Sequence, residues 1–185
     1  MLTLKPIAKA DLPQITSLYS TYLTAGQSLT EGTYAVWEKG GCLGTKAVDD
    51  DGNIAGFFSL RPGLELTYPH PDIEREIREI VAGRRIYTVD GMLVLSKYRG
   101  HGLARRLIAE TLPELRKCTE LVLVEVWIYP NGRSPGKVPQ ETLGEIIYSK
   151  KVPMFYKDLP RYRMRCPICG ASCVCGAYID VAKIK

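Results

Sequence analysis

The stretch from Ile86 to Ala104 constrains the fold of this chain most. An extended apolar run, Ile86-Tyr-Thr-Val-Asp-Gly-Met-Leu-Val-Leu95, gives way to Arg99-Gly100-His101-Gly102 and then to a helix opening at about Gly102. A strand feeding through a glycine turn into a helix belongs to α/β architecture, where the helix covers one face of a sheet. The turn leaves several backbone N–H groups unpaired at the positive end of the helix dipole. That geometry takes phosphate-type anions without any dedicated side chain. Gly100 and Gly102 carry no Cβ, so a ligand can approach the backbone closely, and Ala104 is small enough to keep the approach open. The turn is neither the G-x-G-x-x-G dinucleotide fingerprint nor a P-loop with its Gly-Lys-Ser/Thr ending.

The remaining elements follow from periodicity and punctuation. Met1 to Pro6 reads as a strand, and Asp11 offers a helix N-cap with Gln14 as its capping-box partner. Ile15, Leu18, Tyr19, Tyr22 and Leu23 then follow at helical spacing. Glu31 to Lys39 is predicted as a short second helix. Thr45–Asp49 and Ile54–Leu60 read as strands joined by the turn Asp50-Asp51-Gly52-Asn53. A helix is predicted from Asp72 to about Ala82, with Ile73, Ile77 and Ile80 on one face. Pro113 is expected to end or kink the helix that starts at Gly102. Leu121–Ile128 is almost continuously apolar, as a strand buried on both faces would be. Pro130 to Gly136 is loop chemistry, and Glu141–Tyr148 is predicted as helix. Two short strands, Arg161–Arg165 and Ala177–Ile184, close the chain.

The sum is a single α/β domain over residues 1–185 with a mixed central sheet flanked by helices. A length of 185 residues with 45% hydrophobic content suits one core. The start, MLTLKPIAKADL, shows no basic segment followed by an apolar one, and no run approaches the roughly 20 apolar residues of a membrane span. A cytoplasmic protein without membrane contact is the expectation. The net charge of +5 suits an anionic cofactor or a polyanionic partner and decides nothing alone.

Arg99-Gly100-His101-Gly102-Leu103-Ala104 fits the pattern R-x-x-G-x-A, with Tyr98 before the arginine and Val94 five residues before it also matching. The segment resembles the phosphate turn of the GNAT superfamily of acyl-CoA N-acyltransferases. The order of elements is similar to the GNAT order over nearly the whole chain, with additions near 72–82 and between 131 and 150. The resemblance implies that Arg99, Gly100, His101, Gly102, Leu103 and Ala104 hold the pyrophosphate of acetyl-CoA or another acyl-CoA. It also implies that the backbone at Leu93 and Val94 pairs with the pantetheine arm. The acceptor is then a primary amine that attacks the thioester directly, with no nucleophilic cysteine.

Phe155-Tyr156-Lys157-Asp158-Leu159 resembles the F-Y-x-x-L stretch that GNAT enzymes carry on the short helix after the fifth strand. On that resemblance Tyr156 is the general acid for the departing thiolate. A thiol pKa of about 8.5 means that a positioned O–H donor helps near neutral pH. The alternative is that Phe155 and Tyr156 are core aromatics. An amine is largely protonated at pH 7, so the reaction also needs a base. Asp90, on the strand leading into the glycine turn, is the first candidate and Glu125 the second. The family's cofactor-contacting asparagine has its counterpart in Asn131, but 25 positions separate it from Tyr156 where the family has only a few. Either an insertion is accommodated here or Asn131 is a turn residue between Pro130 and Gly132.

Four of the six cysteines fall in Cys166-Pro-Ile-Cys169-Gly-Ala-Ser-Cys173-Val-Cys175-Gly176. Without a secretory signal, metal ligation is favoured over disulfides. Cys-Pro-x-Cys-Gly resembles a zinc knuckle, so Cys166, Cys169, Cys173 and Cys175 are the candidate zinc ligands. The second pair is closer than the usual C-x-x-C, and free or redox thiols and an iron–sulfur cluster are the other readings. Cys42 and Cys118 are isolated and read as buried. Lying between the last two predicted strands, the cluster would staple a hairpin tip at 166–175, which in GNAT folds borders the acceptor site. Arg161, Arg163 and Arg165 alternate beside it. They suggest a second reading, a nucleic-acid-binding or nucleic-acid-modifying protein, or simply a solvated sheet edge.

Overall fold

Among the described residues seven strands form one sheet in the order β1-β2-β3-β4-β5-β7-β6. In chain order the elements are β1 (Thr3–Pro6), α1 (Leu12–Tyr22), β2 (Leu43–Val48), β3 (Ile54–Pro62), α2 (Pro71–Val81), β4 (Ile86–Val94), α3 (Leu103–Cys118), β5 (Leu121–Ile128), α4 (Val138–Leu143), β6 (Gly144–Val152) and β7 (Gly176–Ile184). The computed structural model describes residues 1–23, 35–37, 39–67, 69–134, 137–157, 166–170 and 172–185. β4 and β5 are parallel, joined across the sheet by α3, and every other pairing is antiparallel. The result is the mixed sheet expected of a strand–turn–helix–strand unit inside a set of hairpins.

Alternation along β5 divides the core. Val122, Val124 and Val126 pack with Leu103, Leu107, Ile108 and Leu115 of α3. Leu121 and Leu123 face the other way, against Ile73, Ile77 and Val81 of α2. The apolar edge of α2 therefore closes on Val81, while Ile80 is only half-buried. A third cluster joins Ile15 of α1 to Ile54, Phe57 and Leu93.

Two features of β4 shape the site. The strand pairs with β5 only at Ile86–Thr88 against Leu121–Leu123. Beyond those pairs the two strands part, although β4 continues to Val94 and β5 to Ile128. Against β3 the register passes from Ser59↔Gly91 to Leu60↔Val89, so Asp90 is the extra residue of a β-bulge. A bulge breaks the alternation of side chains. Tyr87 and Val89 before it, and Met92 and Val94 after it, consequently share the α3 face.

Several local expectations are corrected. Helix in the predicted segment Glu141–Tyr148 ends at Leu143, and Gly144–Val152 is the edge strand β6. The apolar residues Ile146, Ile147 and Tyr148 suit either state, and pairing along β7 decides for strand. A Cβ at Gly144 would clash with the Lys183 carbonyl oxygen, so only glycine fits this crossing. The helix that follows the fifth strand is thus α4, and Tyr156 lies beyond β6 in a turn. α3 runs five residues past Pro113. Pro113 and Ala109, whose carbonyl it leaves without a helical donor, are both solvent-exposed, where water takes the place of the lost bond. The Asp11 carboxylate does not cap α1; it turns back to accept the Ala8 N–H at 2.7 Å and pairs with Lys46. The predicted strand Arg161–Arg165 lies outside the described residues. So does most of the predicted helix Glu31–Lys39, of which residues 35–37 and 39 are helical. The four cysteines sit on the connection from β6 to β7. Among the described residues no helix is long and apolar enough to cross a membrane.

Candidate active site

The N-terminus of α3 opens into a cleft of about 470 Å³ formed where β4 and β5 separate. Gly100 and Gly102 hold φ of +83° and +71°, left-handed values that side chains resist, and a Cβ at either position would meet no atom within 4 Å. The space over the turn is open for a ligand. The first hydrogen bond of α3 is Arg106 N–H to the Gly102 carbonyl. The N–H groups of Leu103, Ala104 and Arg105 thus remain without a helical acceptor. Arg99 Nε donates to the Val94 carbonyl at 2.8 Å and pins the turn to the end of β4. Of the residues the sequence assigned to the cofactor, Leu93, Val94, Arg99, Gly100, Gly102, Leu103 and Ala104 line the cleft. His101 is exposed, and its Nδ1 lies 2.8 Å from the Arg99 carbonyl. Asn131 Oδ1 accepts the Arg133 N–H at 3.0 Å in an exposed turn, as the turn reading has it.

Asp90 and Glu125 stand at the same level, each just past the last β4–β5 pair. Arg61 lies between carboxylates, with Nε 3.6 Å from Asp90 Oδ1 and Nη1 3.0 Å from Glu65 Oε2. Glu125 Oε1 accepts the Thr67 N–H at 2.6 Å, and its buried Oε2 has no hydrogen-bond partner among the described residues. Burial pushes both carboxyls above the ordinary range; the Arg61 charge opposes the shift at each, together with the Thr67 hydrogen bond at Glu125. A carboxylate raised in this way is a better proton acceptor near neutral pH. The Tyr19 hydroxyl donates to the Asp90 carbonyl at 2.7 Å and ties α1 to the bulge.

Tyr156 is 5% exposed and does not line the cleft. Its ring stacks on Trp127 at 4.2 Å, and it is Trp127 that faces the cleft. A second phenol, Tyr129, stands directly after β5 and lines the cleft itself. Burial raises its pKa, opposed by Arg99, so the hydroxyl stays protonated at neutral pH. Sequence reasoning passed over Tyr129. Extending the β4–β5 register would have found it, since that offset sets residue 129 across from Val94.

The four clustered cysteines come together. Their sulfurs all lie within 4.8 Å of one another, with Cys169–Cys175 at 3.5 Å and Cys166–Cys175 at 3.8 Å. All four are free thiols. Cys166 and Gly170 exchange backbone hydrogen bonds of 3.0 and 2.9 Å, and the N–H groups of Ile168 and Cys169 point at Cys166 Sγ. Gly170, at φ +72°, closes the loop. With a Zn–S bond of about 2.3 Å, tetrahedral ligands are about 3.8 Å apart, so the measured separations fit one ion. Burial pushes the Cys175 thiol up to about 11 and raises Cys173 as well. Cys169 is lowered by the Val174 N–H.

No curated protein matches the chain by sequence. Among solved structures, Arabidopsis thaliana NAA60 in complex with a bisubstrate analogue superposes with a TM-score of 0.69 at 17% identity, covering 100% of this chain and 99% of that one. A second structure of that protein holds acetyl-CoA. The NatC complex bound to Gag peptide and CoA gives 0.64 at 16% identity, over 100% and 99% of the two chains. The ribosomal-protein-S18-alanine N-acetyltransferase of Escherichia coli gives 0.60 at 16%, over 100% and 95%. These likenesses concern the fold. The model of the acetyltransferase (GNAT) family matches residues 12–133, from α1 through the phosphate turn and β5. With that span matched, the chain belongs to the GNAT family of N-acetyltransferases.

Proposed function

We propose that the protein transfers an acetyl group from acetyl-CoA to a primary amine carried by a polypeptide. The observation that carries this reading is the open, left-handed glycine turn at the α3 N-terminus, aimed into the gap between β4 and β5. Acetyl-CoA supplies an activated thioester. The free N–H groups of the turn hold its pyrophosphate, and the edge of β4 at Leu93 and Val94, which β5 no longer covers and where Arg99 Nε already occupies the Val94 carbonyl, receives the pantetheine arm. A polypeptide acceptor is favoured by the peptide bound to NatC and by the alanine substrate named for the bacterial enzyme.

The acceptor nitrogen attacks the thioester carbon, the C–S bond breaks, and the amine proton passes to a base. Asp90 takes this role: neither carboxylate is among the residues lining the cleft, but the Asp90 side chain is 20% exposed at the bulge, whereas one Glu125 oxygen is sealed. The thiolate needs a proton donor on the cleft wall. Tyr129 meets that condition, and Tyr156, which the family pattern suggested, stands behind Trp127. Thiol release from acetyl-CoA in the presence of a peptide library with free N-termini tests the activity. No acetylation of any peptide by protein that binds acetyl-CoA would refute the acceptor class.

The cysteine centre reads as a structural zinc site held by Cys166, Cys169, Cys173 and Cys175, with no ligand position left for substrate. Zinc there neutralises thiolates that would otherwise repel one another, and so favours the folded loop. Metal analysis of protein prepared without chelators should find about one zinc per chain, lost in Cys166→Ser. A folded, metal-free chain with reactive thiols refutes the assignment.

A further inference from the structure

We infer that the cysteine centre and the acetyl-CoA cleft are coupled sites, so that zinc occupancy sets the affinity of the cleft for CoA through a shared wall of Pro167 and Trp127. The inference rests on the zinc and acetyl-CoA readings above and adds a regulatory link between them. Pro167 lies inside the knuckle, one residue after Cys166, and it lines the cleft. Its position is set by the Cys166–Gly170 hydrogen-bond pair and by the two N–H groups aimed at Cys166 Sγ. Trp127 reaches the same centre by a second route. Its ring stacks on Tyr156, whose N–H donates to the Cys175 carbonyl at 3.3 Å. The Trp127 indole N–H is buried, and its side chain interacts with the Cys175 thiol, lowering that thiol's pKa against the effect of burial. Phe155, Tyr156, Cys166, Cys173 and Cys175 form one buried cluster, and Trp127 packs on it.

This wall faces the glycine turn across the cleft. Without a cation the loop keeps its Cys166–Gly170 hydrogen bonds but has only weak sulfur contacts joining Cys166 and Cys169 to Cys173 and Cys175, and loosening that join moves Pro167 and the support under Trp127. The sequence resemblance placed the cluster beside the acceptor; the structure places part of it against the cofactor cleft. Coupling of this kind is reciprocal: the factor by which zinc tightens CoA is the factor by which CoA tightens zinc.

The test uses the full chain. Calorimetry with CoA is run on zinc-loaded and zinc-stripped protein, and zinc is titrated against a chromophoric chelator with and without CoA. The competition needs only folded, loaded protein, so it stands even if the stripped chain unfolds. We expect CoA to bind the loaded form at least about fivefold more tightly, with the same factor in the chelator competition. Indole emission should also shift on stripping, and the shift should disappear in Trp127→Phe. Trp127→Leu should keep its zinc and lose most of the coupling. Zinc and CoA both bound, with independent affinities, overturns the coupling and leaves both site readings standing. A chain that binds no zinc overturns the zinc reading and the coupling with it. A zinc-loaded chain that binds no CoA overturns the acetyltransferase reading and the coupling together.

Discussion

Gly102→Val separates the cost of the phosphate turn to folding from its contribution to binding. Gly102 holds φ +71°, and a Cβ there meets no protein atom within 4 Å. The folding cost is therefore left-handed strain alone, about 1–2 kcal/mol for a residue with a Cβ. For a chain of this size that lowers Tm by about 2–8 °C. Binding suffers separately, because the isopropyl group stands where the pyrophosphate would sit. Losing two backbone hydrogen bonds to a charged phosphate, at about 1.5–3 kcal/mol each, weakens CoA by about 3–6 kcal/mol, or roughly 10²–10⁴-fold. Gly83→Val is the control: Gly83 holds φ +77° with the same open surroundings, and it does not line the cleft. Both variants should lose similar Tm in thermal melts, and only Gly102→Val should lose CoA affinity by calorimetry. Unchanged affinity in Gly102→Val, or an equal loss in Gly83→Val, would refute the assignment of the turn.

Tyr129→Phe should lower kcat by about 10²–10⁴ with CoA binding kept, while Tyr156→Phe turns over near the wild-type rate; the reverse pattern in steady-state kinetics returns the acid role to Tyr156. Asp90→Asn should lower kcat/KM by a similar factor and remove the acidic limb of its pH profile, a limb displaced upward because burial raises the Asp90 carboxyl. Glu125 is also raised above its unfolded value of 4.5, so its contribution to stability is complete below that pH and is lost as pH rises through the folded value. Glu125→Gln should accordingly melt higher than wild type at pH 8 and lose that advantage at pH 4, and a lower melting point at pH 8 would contradict the burial argument. Pro113→Ala restores a donor in mid-α3 at an exposed position and should stabilise by about 1–2 kcal/mol in urea titrations, less than the full helix penalty because proline also restricts the unfolded chain.

What local chemistry specifies was legible in the sequence. β5 falls at Leu121–Ile128 because a short run, rich in β-branched residues and apolar on both faces, suits a central strand. The strand–glycine–helix order at Ile86–Ala104 stands because left-handed φ at Gly100 and Gly102 is a local demand of the turn. The C-P-x-C-G knuckle is likewise a property of five consecutive residues. Partners distant in sequence decided the rest. Gly144–Val152 has spacing that suits helix or strand, and only β7 beside it selects strand. The parting of β4 and β5, which makes the cleft, follows from where their pairing stops. The bulge that makes Asp90 an extra residue exists only against β3. Tyr129, Trp127 and Pro167 became one wall because β5 and the knuckle converge in space. Chain-local torsions and apolar periods are written residue by residue; strand register and the meeting of separate segments depend on free-energy differences between whole packings, which no single segment carries.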